Sequence, residues 1–168
     1  MNRGQTLTAL GFDFGTRKVG AAVGNSITGA ATPLATLNYV ALNSLFQEIA
    51  DLIAQWEPDV LVVGRPLTAD GAPCEMTEAS DRFARRLAGR YGLPVDRVNE
   101  SFSSVAAASA LLEAHEQSLP RGRRRPRRLP ESEDATAAAI ILRQYLSERS
   151  LRQVGTGINS DGDRVDKP

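Results

Sequence analysis

The chain reads as an α/β fold: a mixed five-stranded sheet with helices on both faces. Three features of its 168 residues predict this. Near the N-terminus, strand-like runs alternate in hydrophobicity and follow one another too closely to be other than antiparallel. Around residue 42 the period changes to that of an amphipathic helix. DVLVVG (59–64) is then a short continuous apolar run, the pattern of a central strand covered on both faces.

TLTALGFDF (6–14) is the first strand. It places Ala9, Gly11 and Asp13 on one face and Thr8, Leu10, Phe12 and Phe14 on the other. A turn at 15–18 leads to VGAAVG (19–24), and a third strand fits 29–37, where Pro33 suits an edge. Leu42, Leu45, Phe46, Ile49, Leu52, Ile53 and Trp56 recur at helical spacing, and Pro58 stops that helix. A second helix is expected at about 75–91, with Met76, Ser80, Phe83, Leu87 and Tyr91 on one face. Arg82, Arg85, Arg86 and Arg90 lie on its other face. Gly92 ends the helix, and Pro94 opens the fifth strand, PVDRVNE. Ser103 or Ser104 caps an Ala-rich helix reaching about Glu116, a loop spans 120–130, and a last helix runs from after Ser132 to about Arg149. A three-stranded meander followed by parallel strands is the RNase H-like layout. One domain over 1–151 is expected, with a disordered polar tail at 152–168.

Composition narrows the function. Cys74 is the single cysteine and His115 the single histidine, which excludes a disulfide framework and His- or Cys-based metal clusters. Cys74 is expected to be an inert loop thiol, and His115 a solvated surface histidine near a helix end. No apolar run reaches about 18 residues and no signal-peptide pattern opens the chain, so a soluble, cytoplasmic protein without a membrane partner is expected. Net charge is zero, yet RGRRRPRR (121–128) carries Arg121, Arg123, Arg124, Arg125, Arg127 and Arg128. The remainder therefore carries −6. Such a run offers bidentate donors to nucleic-acid phosphates; a solvated loop that offsets the acidic remainder is the plainer alternative. DGD (161–163) lacks the other ligands of a calcium loop.

Three acids stand at places where chemistry is possible. Asp13 ends an apolar strand before a glycine turn, as a site residue or as a turn cap. Glu100 closes the fifth strand, facing either a site or solvent. Glu131, Glu133 and Asp134 all suit the positive end of the last helix. Asp134 alone shares a phase with Ala138, Ile141 and Tyr145, which turns it toward the sheet. If the three acids converge, their repulsion calls for a divalent cation, and oxygen-only ligands favour Mg²⁺ or Mn²⁺. Two such ions about 3.5–4 Å apart are one known solution for phosphodiester hydrolysis. Arg17, Lys18 and Arg65 follow the strand ends and are candidates for phosphate contact.

Five blocks resemble the YqgF family: GFDFGTRKVGAAVG (11–24), TPLATL (32–37), VVGRPLTADG (62–71), NESFSS (99–104) and EDATAAAIIL (133–142). Members are described as Holliday-junction resolvases or as nucleases completing the 5′ end of 16S rRNA. The resemblance implies an RNase H-like, metal-dependent nuclease with Asp13, Glu100 and Asp134 as its acidic site. Two departures stand out. Members usually have Asp-Glu-Arg where this chain has Asn99-Glu100-Ser101, and the approach to Asp134 is replaced by the arginine run. The expected function is a Mg²⁺- or Mn²⁺-dependent endonuclease processing pre-16S rRNA, with branched-DNA resolution as the alternative. Nucleic acid, and with it ribosomal particles, are the expected partners, for a monomer or a homodimer. Asn99 and Ser101 keep open a non-catalytic RNA-binding assembly factor. DFGTRKVG also resembles the phosphate hairpin of actin-type ATPases, which need a second lobe absent here.

Overall fold

A computed structural model describes residues 6–100 and 133–155. The elements are β1 (Thr8–Phe14), β2 (Lys18–Asn25), β3 (Ala31–Asn38), α1 (Leu42–Trp56), β4 (Val60–Pro66), α2 (Glu75–Tyr91), β5 (Val95–Glu100) and α3 (Glu133–Gly155). The expected 103–116 helix, the 120–130 loop, His115 and DGD lie outside the described residues. The sheet order is β3-β2-β1-β4-β5. β1 pairs antiparallel with β2 and parallel with β4; β2–β3 is antiparallel and β4–β5 parallel. This is the mixed five-stranded sheet that the sequence predicts. β3 is an outer strand, and its pairing with β2 shifts register beside Pro33, where a missing N–H does least damage.

The alternation in β1 assigns the two faces. Leu10, Phe12, Val19, Ala21, Leu37, Leu61 and Val63 pack against Leu45, Phe46 and Ile49 of α1 and Phe83, Ala84 and Leu87 of α2. Ala9, Ala22, Val62 and Val98 pack against Ala138, Ile141, Leu142 and Leu146 of α3. The α3 side of β1 and β2 is built from alanine and glycine, so this helix lies very close to the sheet. A Cβ on Gly20 would stand 1.9 Å from the Asp134 carbonyl oxygen, and one on Gly11 would stand 3.1 Å from Leu142 Cβ.

Helix ends follow local chemistry. Glu57 adopts the left-handed conformation (φ 45°) at the end of α1 and donates its N–H to Ile53 O at 2.9 Å, because the following Pro58 disfavours helical geometry. Gly92 ends α2 in the same way at φ 63°. One expectation is corrected. α3 continues past Arg149 to Gly155, through residues 152–155 of the expected tail, since Leu151, Arg152 and Gln153 are good helix formers. Cys74 ends the loop before α2 as its N-cap, and its N–H donates to Thr77 Oγ1 at 2.8 Å. Thr77 Oγ1 in turn donates to Pro66 O, tying the start of α2 to the end of β4. A hydrogen bond between Cys74 Sγ and Thr77 Oγ1 (3.4 Å), with a further one from the Thr77 backbone, lowers the thiol pKa.

Candidate active site

The parallel strands β1, β4 and β5 end at one edge of the sheet, the usual place for a site in open α/β sheets. Asp13 is there, pointing to the α3 side. Its antiparallel neighbour on β2 is Gly20. On β4, one step beyond the Phe12–Val63 pair, stands Gly64. Both glycines are filled by the other two acids. The start of α3 lies over Gly20, which brings in Asp134. The Glu100 side chain crosses Gly64, where a Cβ would stand 1.8 Å from Glu100 Oε1. Residues at least 34 positions apart in sequence are thereby set in a row: Asp134, Asp13, Glu100.

The electrostatics follow that order. Burial pushes the Asp13 carboxyl up to about 6, helped by the charge of Asp134. Burial pushes Glu100 up to about 8, helped by the charge of Asp13. Glu100 Oε1 is buried and lacks a hydrogen-bond partner among the described residues. Asp134 differs from the other two: Lys18 Nζ lies 2.9 Å from its Oδ2. That pairing raises the Lys18 pKa, chiefly through the hydrogen bond to Asp134. Lys18 stands at the start of β2, where the hairpin is held by Gly15 N–H to Lys18 O (2.9 Å), Tyr39 O–H to Gly15 O (2.7 Å) and Tyr39 N–H to Arg17 O (3.0 Å).

A cleft of ≈370 Å³ opens at this edge, lined by Asp13, Phe14, Gly15, Thr16, Arg17, Lys18, Met76 and Asp134. Of the proposed phosphate contacts, Arg17 and Lys18 are therefore on its rim. Arg65 is elsewhere. It faces α2, where its Nε reaches Asp81 at 3.2 Å, an acid it shares with Arg97 (3.0 Å). Arg121, Arg123, Arg124, Arg125, Arg127 and Arg128 lie outside the described residues. Met76 and Thr16 are cleft residues that the sequence did not single out; the placement of Met76 follows from the Cys74 cap. A hollow of ≈380 Å³ at the far end of α3, beside Asp96, Arg97 and Arg149, holds none of the three acids.

The donors suit a hard cation: oxygen-only, clustered, poorly solvated, with one buried carboxylate oxygen unpartnered. Among the described residues no three His, Cys, Asp or Glu side chains meet at one ion position, which agrees with a row rather than a ring. No helix among the described residues is long and apolar enough to cross a membrane.

Comparison with known proteins identifies the family and the fold. Residues 7–148 match the model of the RuvX family, described as Holliday junction resolvase. A protein of Burkholderia ambifaria (strain MC40-6) named "Putative pre-16S rRNA nuclease" is 44% identical over 143 residues, 85% of this chain and 91% of that protein. A protein of the same name from Polynucleobacter necessarius subsp. necessarius (strain STIR1) is 44% identical over 142 residues, 84% of this chain and 86% of that protein. The fold is shared with T. thermophilus RuvC in complex with a Holliday junction substrate (TM-score 0.55, 15% identity, covering 86% and 96% of the two chains). It is also shared with the fowlpox virus resolvase bound to Holliday junction DNA (TM-score 0.54, 10% identity, covering 85% and 99%). The chain belongs to the RuvX (YqgF) family.

Proposed function

We propose that the chain is a Mg²⁺- or Mn²⁺-dependent endonuclease that hydrolyses phosphodiester bonds at the 5′ end of pre-16S rRNA. The observation that carries this reading is the row Asp134–Asp13–Glu100 at the C-terminal edge of a resolvase-type sheet, with a buried carboxylate oxygen that has no hydrogen-bond partner among the described residues. The substrate comes from the names of relatives 44% identical to this chain. Asp13, Glu100 and Asp134 form the acidic centre. These acids would hold a divalent cation, which would lower the pKa of a bound water below that of bulk water and offset phosphate charge. Burial keeps Asp13 and Glu100 poorly solvated, so they gain more from a cation than exposed acids do. Arg17 and Lys18 on the rim, and the 121–128 arginines, take substrate phosphates. Arg65 joins them only through the guanidinium nitrogens that Asp81 leaves free. The single cysteine and an RNA substrate fit a cytoplasmic protein acting on ribosomal particles.

A second reading, resolution of branched DNA, is favoured by the description of the family itself. One experiment separates the readings. A labelled 5′-extended 16S precursor and a synthetic four-way DNA junction are incubated with the protein in Mg²⁺ and in EDTA. The expected result is Mg²⁺-dependent cleavage of the RNA, absent from Asp13→Asn. Cleavage of the junction alone moves the activity to DNA. Binding of both without cleavage of either leaves a non-catalytic assembly factor, as Asn99 and Ser101 beside Glu100 would suit.

A further inference from the structure

Within the acidic row the charges are not equally compensated. Asp134 already has two positive partners: the Lys18 ammonium at 2.9 Å and the N-terminal end of α3, in whose first turn it lies. Among the described residues, Asp13 and Glu100 form no ion pair within 4 Å, and Glu100 Oε1 is buried without a partner. Once ionised, these two carboxylates, which have no cationic partner among the described residues, match the charge of one divalent ion. The third is matched by one ammonium.

Spacing points the same way. Asp134 arrives over the Gly20 column of β2 and Glu100 over the Gly64 column of β4, with the Asp13 column between them. Outer columns in a sheet are two interstrand spacings apart, roughly 9–10 Å. The main chain of Asp134 and the carboxylate of Glu100 thus approach Asp13 from opposite sides. This agrees with the lack of a three-acid cluster among the described residues.

We propose that this chain takes a single divalent ion, between Asp13 and Glu100, and that the Lys18 ammonium occupies the place of a second ion at Asp134. The proposal rests on the nuclease reading and departs from the two-ion arrangement expected from the acids alone. Lys18 is then a positioning residue. It holds Asp134 and keeps a fixed positive charge on the cleft rim, where a substrate phosphate would enter. Its position at the start of β2, on a hairpin pinned by Tyr39, gives that charge a defined place.

The test is Mn²⁺ binding to the full chain, read by calorimetric stoichiometry and by the electron paramagnetic resonance spectrum. The expected result is one ion per chain with the spectrum of an isolated Mn²⁺. Asp134→Asn should leave that stoichiometry at one, and Asp13→Asn should abolish it. Lys18→Met should admit a second ion with a spin-coupled spectrum, whereas Lys18→Arg should stay at one. Two ions in the unaltered protein, or one in a folded Lys18→Met, would overturn the proposal while leaving the nuclease reading intact. No Mn²⁺ bound to the unaltered protein would overturn the nuclease reading itself. Should Lys18→Met fail to fold, the stoichiometry of the unaltered protein and of Asp134→Asn still decides.

Discussion

At the scale of single residues, the site is a balance between burial and charge. Asp13 and Glu100 ionise less readily in the folded chain than in the unfolded one, with pKa values pushed up to about 6 and about 8. Groups with raised folded pKa values contribute stability that is fully present below their unfolded values. That stability is lost as pH rises through the folded ones. The cation-free protein should therefore lose stability between pH 5 and pH 9, on the order of a few kcal/mol, or roughly 5–10 °C in Tm. Glu100→Gln should flatten the profile, and thermal melts in EDTA across that range check it. Because cations bind the deprotonated acids, added Mg²⁺ should restore most stability at the alkaline end; at 100-fold over Kd the gain is about 2.7 kcal/mol. Asp13→Asn should melt higher than the parent at pH 8.5 in EDTA. It should also lose cleavage by at least about 100-fold, since a several-kcal/mol electrostatic contribution to the transition state disappears. A variant that is more stable and inactive separates a site acid from a structural one.

At the scale of elements, three glycines test the packing. Gly20→Ala would push a methyl group into the Asp134 carbonyl of α3, and Gly64→Ala into the Glu100 carboxylate. Each should cost about 1–3 kcal/mol by overpacking, measured by urea denaturation. Each should lose cleavage beyond what its stability explains, because the acid itself is displaced. Gly89 on the exposed side of α2 meets nothing within 4 Å. Gly89→Ala should stabilise by about 0.5–1 kcal/mol and leave cleavage unchanged. The 121–128 run has its own signature. If three or four of its arginines engage phosphates, replacing all six by Gln should flatten log K against log[salt] by roughly 2–3.5 units, equally across sequences. An unchanged slope would assign the run to solvent.

At the scale of the whole molecule, the two faces of the sheet have different duties. The face toward α1 and α2 is filled by large side chains such as Phe12, Phe46 and Phe83, and the edge-on contact of Phe12 with Phe83 is typical of such a core. The face toward α3 is lined by alanine and glycine, which lets a helix N-terminus approach the strands closely enough to present an acid beside Asp13. Both faces carry a buried core, and the acidic centre lies on the α3 side. The pairing of Arg65 and Arg97 with Asp81 belongs to the other side.

Periodicity was enough to read the elements and the faces. The alternation in 6–14 already put Asp13 with Ala9 and Gly11, and the phase of Asp134 with Ala138 and Ile141 already turned it toward the sheet. These are local properties, because side-chain direction in a strand or helix follows from position alone. Tertiary structure decided what depends on the separation of distant segments. It set the order of the acids, because β4 inserts between β1 and β5 and leaves Glu100 reaching across Gly64. It placed Lys18 on Asp134, and it drew Arg65 away to Asp81. It also brought Pro66 O to Thr77 Oγ1, which ties the Cys74 cap of α2 to the end of β4. No spacing along the chain encodes those distances; they arise from which strands are neighbours and how closely α3 can approach a surface without side chains.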